Sequence, residues 1–341
     1  MMEQINKNFS FLKRKNIEFS VQRYLIDALG AMAQGLFASL IVGLILETIG
    51  TELNLSFLVS FGELAKSMMG PAIGVAVAWG LKAPPLVLFA SVITGMSGVA
   101  IGAGPVGAFV GAVVGAEFGK LISKETAVDI IITPVVTIAT GVAAANLAGP
   151  GVDLFMRGLG KVIMQATVLH PIPMGVIVAV IMGLALTAPI SSAALAIMLN
   201  LGGIAAGAAT VGCAAQMIGF AVSSYRENRW GGLLSQGLGT SMLQIANIVR
   251  NPWILLPPTL SGALLGPLAT TVFKLENVPE GAGMGTSGLV GQFGTIAAMG
   301  SGTKVFVAII LLHFLLPALL SFIFSELLRA KGLIKPGDYK L

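Results

Sequence analysis

Charge is scarce in this 341-residue sequence. Lys and Arg number 20, Asp and Glu 15, and together they make 10% of the chain, against about 25% in a soluble domain. So few charged side chains cannot cover a water-soluble surface of this size, which argues against a soluble enzyme, a nucleic-acid binder and a disordered chain. Cysteine is scarcer still: Cys213 stands alone, so the chain has no intramolecular disulfide and no cysteine-held metal cluster. Only His170 and His313 are present, too few for a zinc centre. The Gly102-Ala103-Gly104 run follows no strand and lacks a lysine partner, so it is not a phosphate loop. No nucleophile–base pair is visible. The expectation is a non-enzyme without cofactor or metal.

What is abundant is apolar and small. Hydrophobic residues make 55% of the chain and glycine accounts for 44 positions, with a mean hydropathy of +0.91. Long apolar runs read as membrane spans, and small residues let such helices approach closely. The fold class expected is an all-α polytopic membrane protein with about ten transmembrane helices. The net charge of +5 does not indicate nucleic acid, because much of it lies at the ends of the chain. Lys7, Lys13, Arg14, Lys15 and Arg23 precede the first apolar run, and Arg329, Lys331, Lys335 and Lys340 follow the last. Positive flanks stay on the cytoplasmic side. Both termini are therefore expected in the cytoplasm of a multi-pass protein of the cell's inner (plasma) membrane.

The organisation expected is an N-terminal arm over 1–27, one transmembrane domain over 28–328 and a tail over 329–341. Phe9, Phe11, Leu12 and Phe19 beside Lys13–Lys15 suit an arm lying on the lipid surface or a frayed end equally well. Within the domain, breaks are expected at Gly102–Pro105 and at Gly149-Pro150-Gly151, and a charged loop at Tyr225–Trp230. Pro171–Leu186, Ile190–Leu201 and Gly203–Val222 are expected spans. Trp230–Arg250 and Glu280–Gly300 are too polar for lipid and too apolar for water. They read as re-entrant or broken-helix segments, because irregular backbone at membrane depth needs protein or a water-filled cavity around it.

The chain also matches itself at an offset of 105 residues. Leu81, Ala83 and Pro84 fall on Leu186, Ala188 and Pro189, and Gly98, Gly102 and Gly107 fall on Gly203, Gly207 and Gly212. This predicts an internal pseudo-repeat with halves at about 71–150 and 176–267, an arrangement that transporters use to place a solute site where repeats meet.

Two polar clusters are the candidates for that site. One is Thr240, Ser241, Gln244 and Asn247; the other is Thr286, Ser287 and Gln292. Hydroxyls and amides both donate and accept hydrogen bonds, as a polyhydroxyl solute does. Glu280, just before the second cluster, and His170, at the mouth of a span, are expected near the rim. His313, in an aliphatic helix, is expected to be packed and neutral.

Ala188-Pro189-Ile190-Ser191-Ser192-Ala193-Ala194, the run Asn200–Gly207, and Gly239-Thr240-Ser241-Met242-Leu243-Gln244-Ile245 resemble the EIIC-like membrane proteins of the phosphotransferase system, and within them the branch that includes the perfringolysin O regulator. Asn251-Pro252-Trp253 to Gly266-Pro267 and Gly285-Thr286-Ser287-Gly288 are similar to that family too. The resemblance implies a sugar-permease fold, a homodimer in the lipid bilayer, and a substrate site partly formed by re-entrant hairpins. Partner EIIA and EIIB proteins would then be separate chains. Two functions follow: a permease moving a small polar, carbohydrate-like solute by alternating access, or a transporter-like sensor that binds the solute without moving it.

Overall fold

The computed structural model describes residues 11–341. Lys7 and Phe9 of the expected arm lie outside the described residues, and residues 11–14 form one helical turn. All regular structure among the described residues is helical, apart from one isolated backbone pairing between Gly203 and Asn277. In chain order the helices are α1 (Gln22–Thr51), α2 (Ser56–Ser67), α3 (Met69–Gly80), α4 (Pro85–Ala100), α5 (Gly104–Ile122), α6 (Asp129–Thr167), α7 (Pro171–Thr187) and α8 (Ser192–Met198). There follow α9 (Gly203–Ser223), α10 (Tyr225–Leu234), α11 (Ile245–Arg250), α12 (Pro252–Phe273), α13 (Pro279–Ala282), α14 (Val290–Met299) and α15 (Thr303–Ala330). Six of these, α1, α5, α6, α9, α12 and α15, are long and apolar enough to cross a membrane, and α3, α4 and α7 are shorter apolar helices. The chain is thus multi-pass. The span expected at Ile190–Leu201 is instead the seven-residue α8, about 10 Å long and shorter than a bilayer core. Left-handed Asn200 (φ 47°) follows its end, and Gly203 (φ 62°) opens α9.

The chain divides into two compact units. The first comprises residues 11–40 and 64–155. Here α3 packs on α1, α4 and α5, and the approach depends on missing side chains: a Cβ at Gly98 of α4 would overlap the Gly107 backbone of α5. The chain breaks between α4 and α5 where expected, with Gly102 and Gly104 at positive φ (81° and 56°) and Pro105 opening the new helix. The expected break at Gly149-Pro150-Gly151 is corrected: α6 runs unbroken through it. Proline deletes one backbone hydrogen bond and crowds the preceding turn. Here glycines flank the ring, and a Cβ at Gly151 would meet nothing. Transmembrane helices tolerate such a proline.

The second unit comprises residues 41–63 and 156–341. Its centre is α9, 89% of whose most apolar window is buried. Its run of Ala and Gly lets α7, α12 and α15 close around it; a Cβ at Gly212 would overlap the Ala179 backbone of α7. Cys213 is fully buried on this helix, its thiol 3.4 Å from the Met182 carbonyl oxygen. The charged loop expected at Tyr225–Trp230 is also corrected: it is the start of α10, kinked at Arg229 (φ 51°). Its charges have partners on α15. Glu227 pairs with Arg329 at 2.9 Å, and Arg226 with Glu326 at 3.0 Å.

The tail after α15 folds back onto this unit. Tyr339 is fully buried, its ring edge-on to Phe220 with centroids 6.2 Å apart. As for the 105-residue match, Pro84 follows α3 and is itself extended, and Pro189 follows α7 after extended Ala188. Beyond them the two stretches differ: Gly98 lies inside the 16-residue α4, whereas Gly203 opens α9.

Candidate functional site

Two interruptions in the helical chain of the second unit define the site. The first follows α10. Its last turn widens over Ser235–Gly239, then Thr240 is fully extended (φ −158°, ψ 142°) and its hydroxyl accepts the Met242 amide at 3.2 Å. Glycines at 237 and 239 weaken the helix, and the Thr240 hydroxyl offers the backbone a competing bond. The second interruption lies between α13 and α14. Gly285, Gly288 and Leu289 are all at positive φ (54°, 52° and 62°). A left-handed leucine persists only where its surroundings over-determine it.

Asn277 anchors this second loop. Its amide nitrogen lies 2.7 Å from the Thr210 hydroxyl, 2.8 Å from the Gly291 carbonyl and 3.2 Å from the Thr295 hydroxyl, while its backbone pairs with Gly203. Added Cβ atoms at Gly281 and Gly294 would strike its side-chain oxygen, so the loop closes tightly around it.

The two interruptions meet. The Thr286 hydroxyl donates to the Gly237 carbonyl, a backbone group in the widened turn after α10. Beside them runs a chain of neutral polar side chains. The Ser241 hydroxyl is 2.8 Å from that of Thr187 at the end of α7. Thr187 donates to Gln216 of α9 at 3.2 Å, and Gln216 donates to Thr259 of α12 at 2.9 Å. Thr187, Gln216, Ser241, Thr286 and Ser287 are at most 2% exposed. None of these groups carries a charge.

A short way along α14, the Gln292 amide nitrogen lies 3.0 Å from Nδ1 of His313 on α15. With the amide donating, Nδ1 accepts and the ring proton falls on Nε2. Ser287 Oγ, Gln292 Oε1 and His313 Nε2 are buried without a hydrogen-bond partner, as are the Ser261, Ser321 and Ser325 hydroxyls elsewhere in this unit. Buried polar atoms are otherwise nearly always paired. Gln292 and His313, bonded to each other, leave an acceptor and an N–H donor free, and Ser287 leaves a hydroxyl.

The other expected residues lie elsewhere. Gln244 and Asn247 are buried, but their amides hold the tail: Gln244 donates to the Tyr339 carbonyl and Asn247 to that of Lys340, each at 2.9 Å. Glu280 is exposed and lines a groove of about 590 Å³ with Val278, Phe293 and Gly294. His170 is exposed at the start of α7, about 25 Å along that helix from Thr187. The structure brings neither Glu280 nor His170 to the buried cluster.

Sequence reasoning did not assign Thr187, Gln216, Asn277 or His313 to this site. The signal was available, since each is a polar residue in an apolar or glycine-rich stretch. In single positions, though, that signal is shared with ordinary helix packing.

A family model described as "Phosphotransferase system, EIIC" matches residues 26–341. No curated protein and no solved structure matches the chain.

Proposed function

On the premise that this chain belongs to the EIIC family of the phosphotransferase system, whose members are its transmembrane permease components, we propose that it moves a small, neutral, carbohydrate-like solute by alternating access. The observation that carries the reading is the uncharged, buried set of donors and acceptors where the two interrupted segments meet. A sugar or sugar alcohol presents the complementary mixture of hydroxyls. Transition metals favour thiolate, imidazole or carboxylate ligands, whereas the groups assembled here are hydroxyls and amides.

In this reading Thr240, Ser241, Thr286, Ser287 and Gln292 belong to the solute site, together with Thr187, Gln216 and His313. Gln244 and Asn247 support it from beneath, through the tail. The segments around Thr240 and Gly285–Leu289 act as re-entrant hairpins. Such hairpins enter and leave by the same face of the membrane and add no crossing. The two helix sets that begin at α3 and α7 are the pseudo-repeat. EIIA and EIIB proteins on other chains would carry the phosphoryl group, the chain would pair as a homodimer, and both termini would face the cytoplasm.

The experiment is uptake into proteoliposomes containing the purified chain, with labelled hexoses and hexitols inside a panel of neutral and charged solutes. Saturable uptake of a neutral polyol that Gln292→Ala abolishes supports the permease. Saturable binding without uptake, with or without phosphoryl-carrier proteins, would establish a sensor instead. Reporter fusions at each end test the topology, and an external C-terminus would refute that part.

A further inference from the structure

The first unit contains a second polar feature of opposite character. A cavity of about 590 Å³ is lined by Arg14, Lys15, Lys82, Lys120 and Lys124, with Glu125 the one carboxylate among its lining residues. Three separate pieces of chain form it: the turn after residues 11–14, the turn between α3 and α4, and the end of α5 with the residues beyond.

The cavity is built rather than incidental. Asn16, Lys82 and Lys124 all line it, and all three have left-handed backbone (φ 56°, 56° and 61°). L-residues adopt that conformation rarely and keep it where neighbours enforce it. The enforcement is visible. Lys120, 1% exposed, donates to the carbonyls of Asn16 and Leu81 at 3.0 Å each. Arg23, 7% exposed, donates to the same two carbonyls at 3.1 and 2.7 Å. Two buried cations thus tie the first turn to the second. Lys15 ties the first to the third, through the Ser123 carbonyl and Glu125.

Most of the acidic charge is already committed. Glu117 pairs with Lys120 at 2.9 Å. Glu125 serves both Arg14 and Lys15, which hold its carboxyl below the usual carboxylate range, Lys15 foremost. Asp129 accepts the Lys124 amide at 2.7 Å and the Thr133 hydroxyl at 2.6 Å. The ammonium groups of Lys82 and Lys124 make no ion pair within 4 Å and no hydrogen bond among the described residues, Asp129 being the carboxylate within electrostatic reach of Lys124. Both are exposed. Each stands two residues past the end of an apolar helix, α3 and α5. Such positions lie at the level of lipid headgroups, where cationic pockets between helices collect anions.

We propose that this cavity binds a phosphate group at the membrane surface, with Lys82 and Lys124 as its free ligands and Arg14 and Lys15 as the supporting wall. The phosphate could be carried by an anionic phospholipid or by a soluble phosphate. The two share the same recognition chemistry, a tetrahedral anion met by ammonium and guanidinium donors.

The test uses the full chain in nanodiscs of phosphatidylcholine, with and without phosphatidylglycerol, and in detergent with inorganic phosphate or a hexose monophosphate. Native mass spectrometry counts retained lipid, and titration calorimetry follows the soluble anions. The variants are Lys82→Asn and Lys124→Asn, because asparagine tolerates the left-handed backbone while removing the charge. Lys304→Asn, at an exposed position of the second unit, is the control. The expected result is selective retention of phosphatidylglycerol or binding of a soluble phosphate, weakened about fivefold by each cavity variant and unchanged by the control. Lipid selectivity without soluble binding assigns the phosphate to a headgroup; soluble binding that displaces the lipid assigns it to a free ester. If all forms retain phosphatidylglycerol no better than phosphatidylcholine and bind no soluble phosphate, the proposal fails. It fails equally if the cavity variants bind as the natural chain does while keeping its melting behaviour.

Discussion

The side-chain amide of Gln244 donates to the backbone carbonyl of Tyr339 at 2.9 Å, across 95 residues of sequence. The same nitrogen reaches Gln236 at 2.9 Å, and Gln236 donates to Ser224 at 2.8 Å. Asn228 donates to the same Tyr339 carbonyl at 2.7 Å and accepts the Leu341 amide at 3.0 Å. The end of the chain is therefore fastened by side-chain amides to the segment that carries the first helix interruption.

Gln244→Ala should loosen this anchorage. It removes three hydrogen bonds, to Gln236, Tyr339 and Asn247, and strands the Gln236 oxygen, a cost of about 1–3 kcal/mol for the buried group left unpaired. The expected readouts are a lower melting temperature and faster chymotryptic cleavage after Tyr339, whose ring is buried while the tail is docked. A melting curve and cleavage rate unchanged from the natural chain would show that the amide contributes nothing there.

Gln292→Ala and Ser287→Ala should act on the solute instead. Ser287→Ala removes a hydroxyl that lacks a protein partner, so folding should be nearly untouched; Gln292→Ala also breaks the bond to His313 and should cost about 1–3 kcal/mol of stability. Solute affinity should fall about 5- to 150-fold for the glutamine, measured by binding titration. Glu280→Gln and His170→Gln, outside the buried cluster, should leave affinity within twofold.

Tail docking should be lost at high pH. Burial pushes the Tyr339 hydroxyl up to about 12, an effect that Glu227 reinforces and Arg329, stacked on the ring at 5.3 Å, opposes. The released tail has an ordinary tyrosine near 10, so it gives up the proton first. The docked form's advantage is complete below about pH 10 and disappears as pH rises towards 12. Amide exchange at Lys340 and Leu341 should accelerate over that window in the natural chain and show no such step in Tyr339→Phe.

Gly212→Val should disrupt assembly of the second unit. The new side chain would need the space of the Ala179 backbone, and helices that pack through small residues cannot separate without losing their shared contacts. The expected outcome is a sharp fall in monodisperse protein on size-exclusion chromatography, with Gly231→Ala as a tolerated control because a Cβ there meets nothing.

Much of the architecture could be read in advance, for identifiable reasons. Composition alone excludes a soluble fold, and the Gly102–Pro105 break follows from local backbone preferences, which neighbours rarely override. Pro150 misleads because a proline ends a helix only where its turn is crowded; flanking glycines relieve that crowding. Arg226 and Glu227 look like a loop until their partners on α15, about a hundred residues away, are known. Gln244 and Gln292 are indistinguishable as sequence, both uncharged amides in glycine-rich segments. Only the folded tail separates them, giving one amide a protein carbonyl and leaving part of the other without a partner. His313 is as buried as expected, yet its bond to Gln292 makes it part of a polar pair rather than filler.

The position of Cys213 has a practical consequence. The single native thiol is sealed within α9 with no exposed surface, so maleimide reagents should pass it by while the protein stays folded. A cysteine introduced at an exposed site would then be the one position labelled, without first engineering a thiol-free background. Paired spin labels or fluorophores placed this way would report distances in the lipid-embedded chain and test directly whether it alternates between conformations.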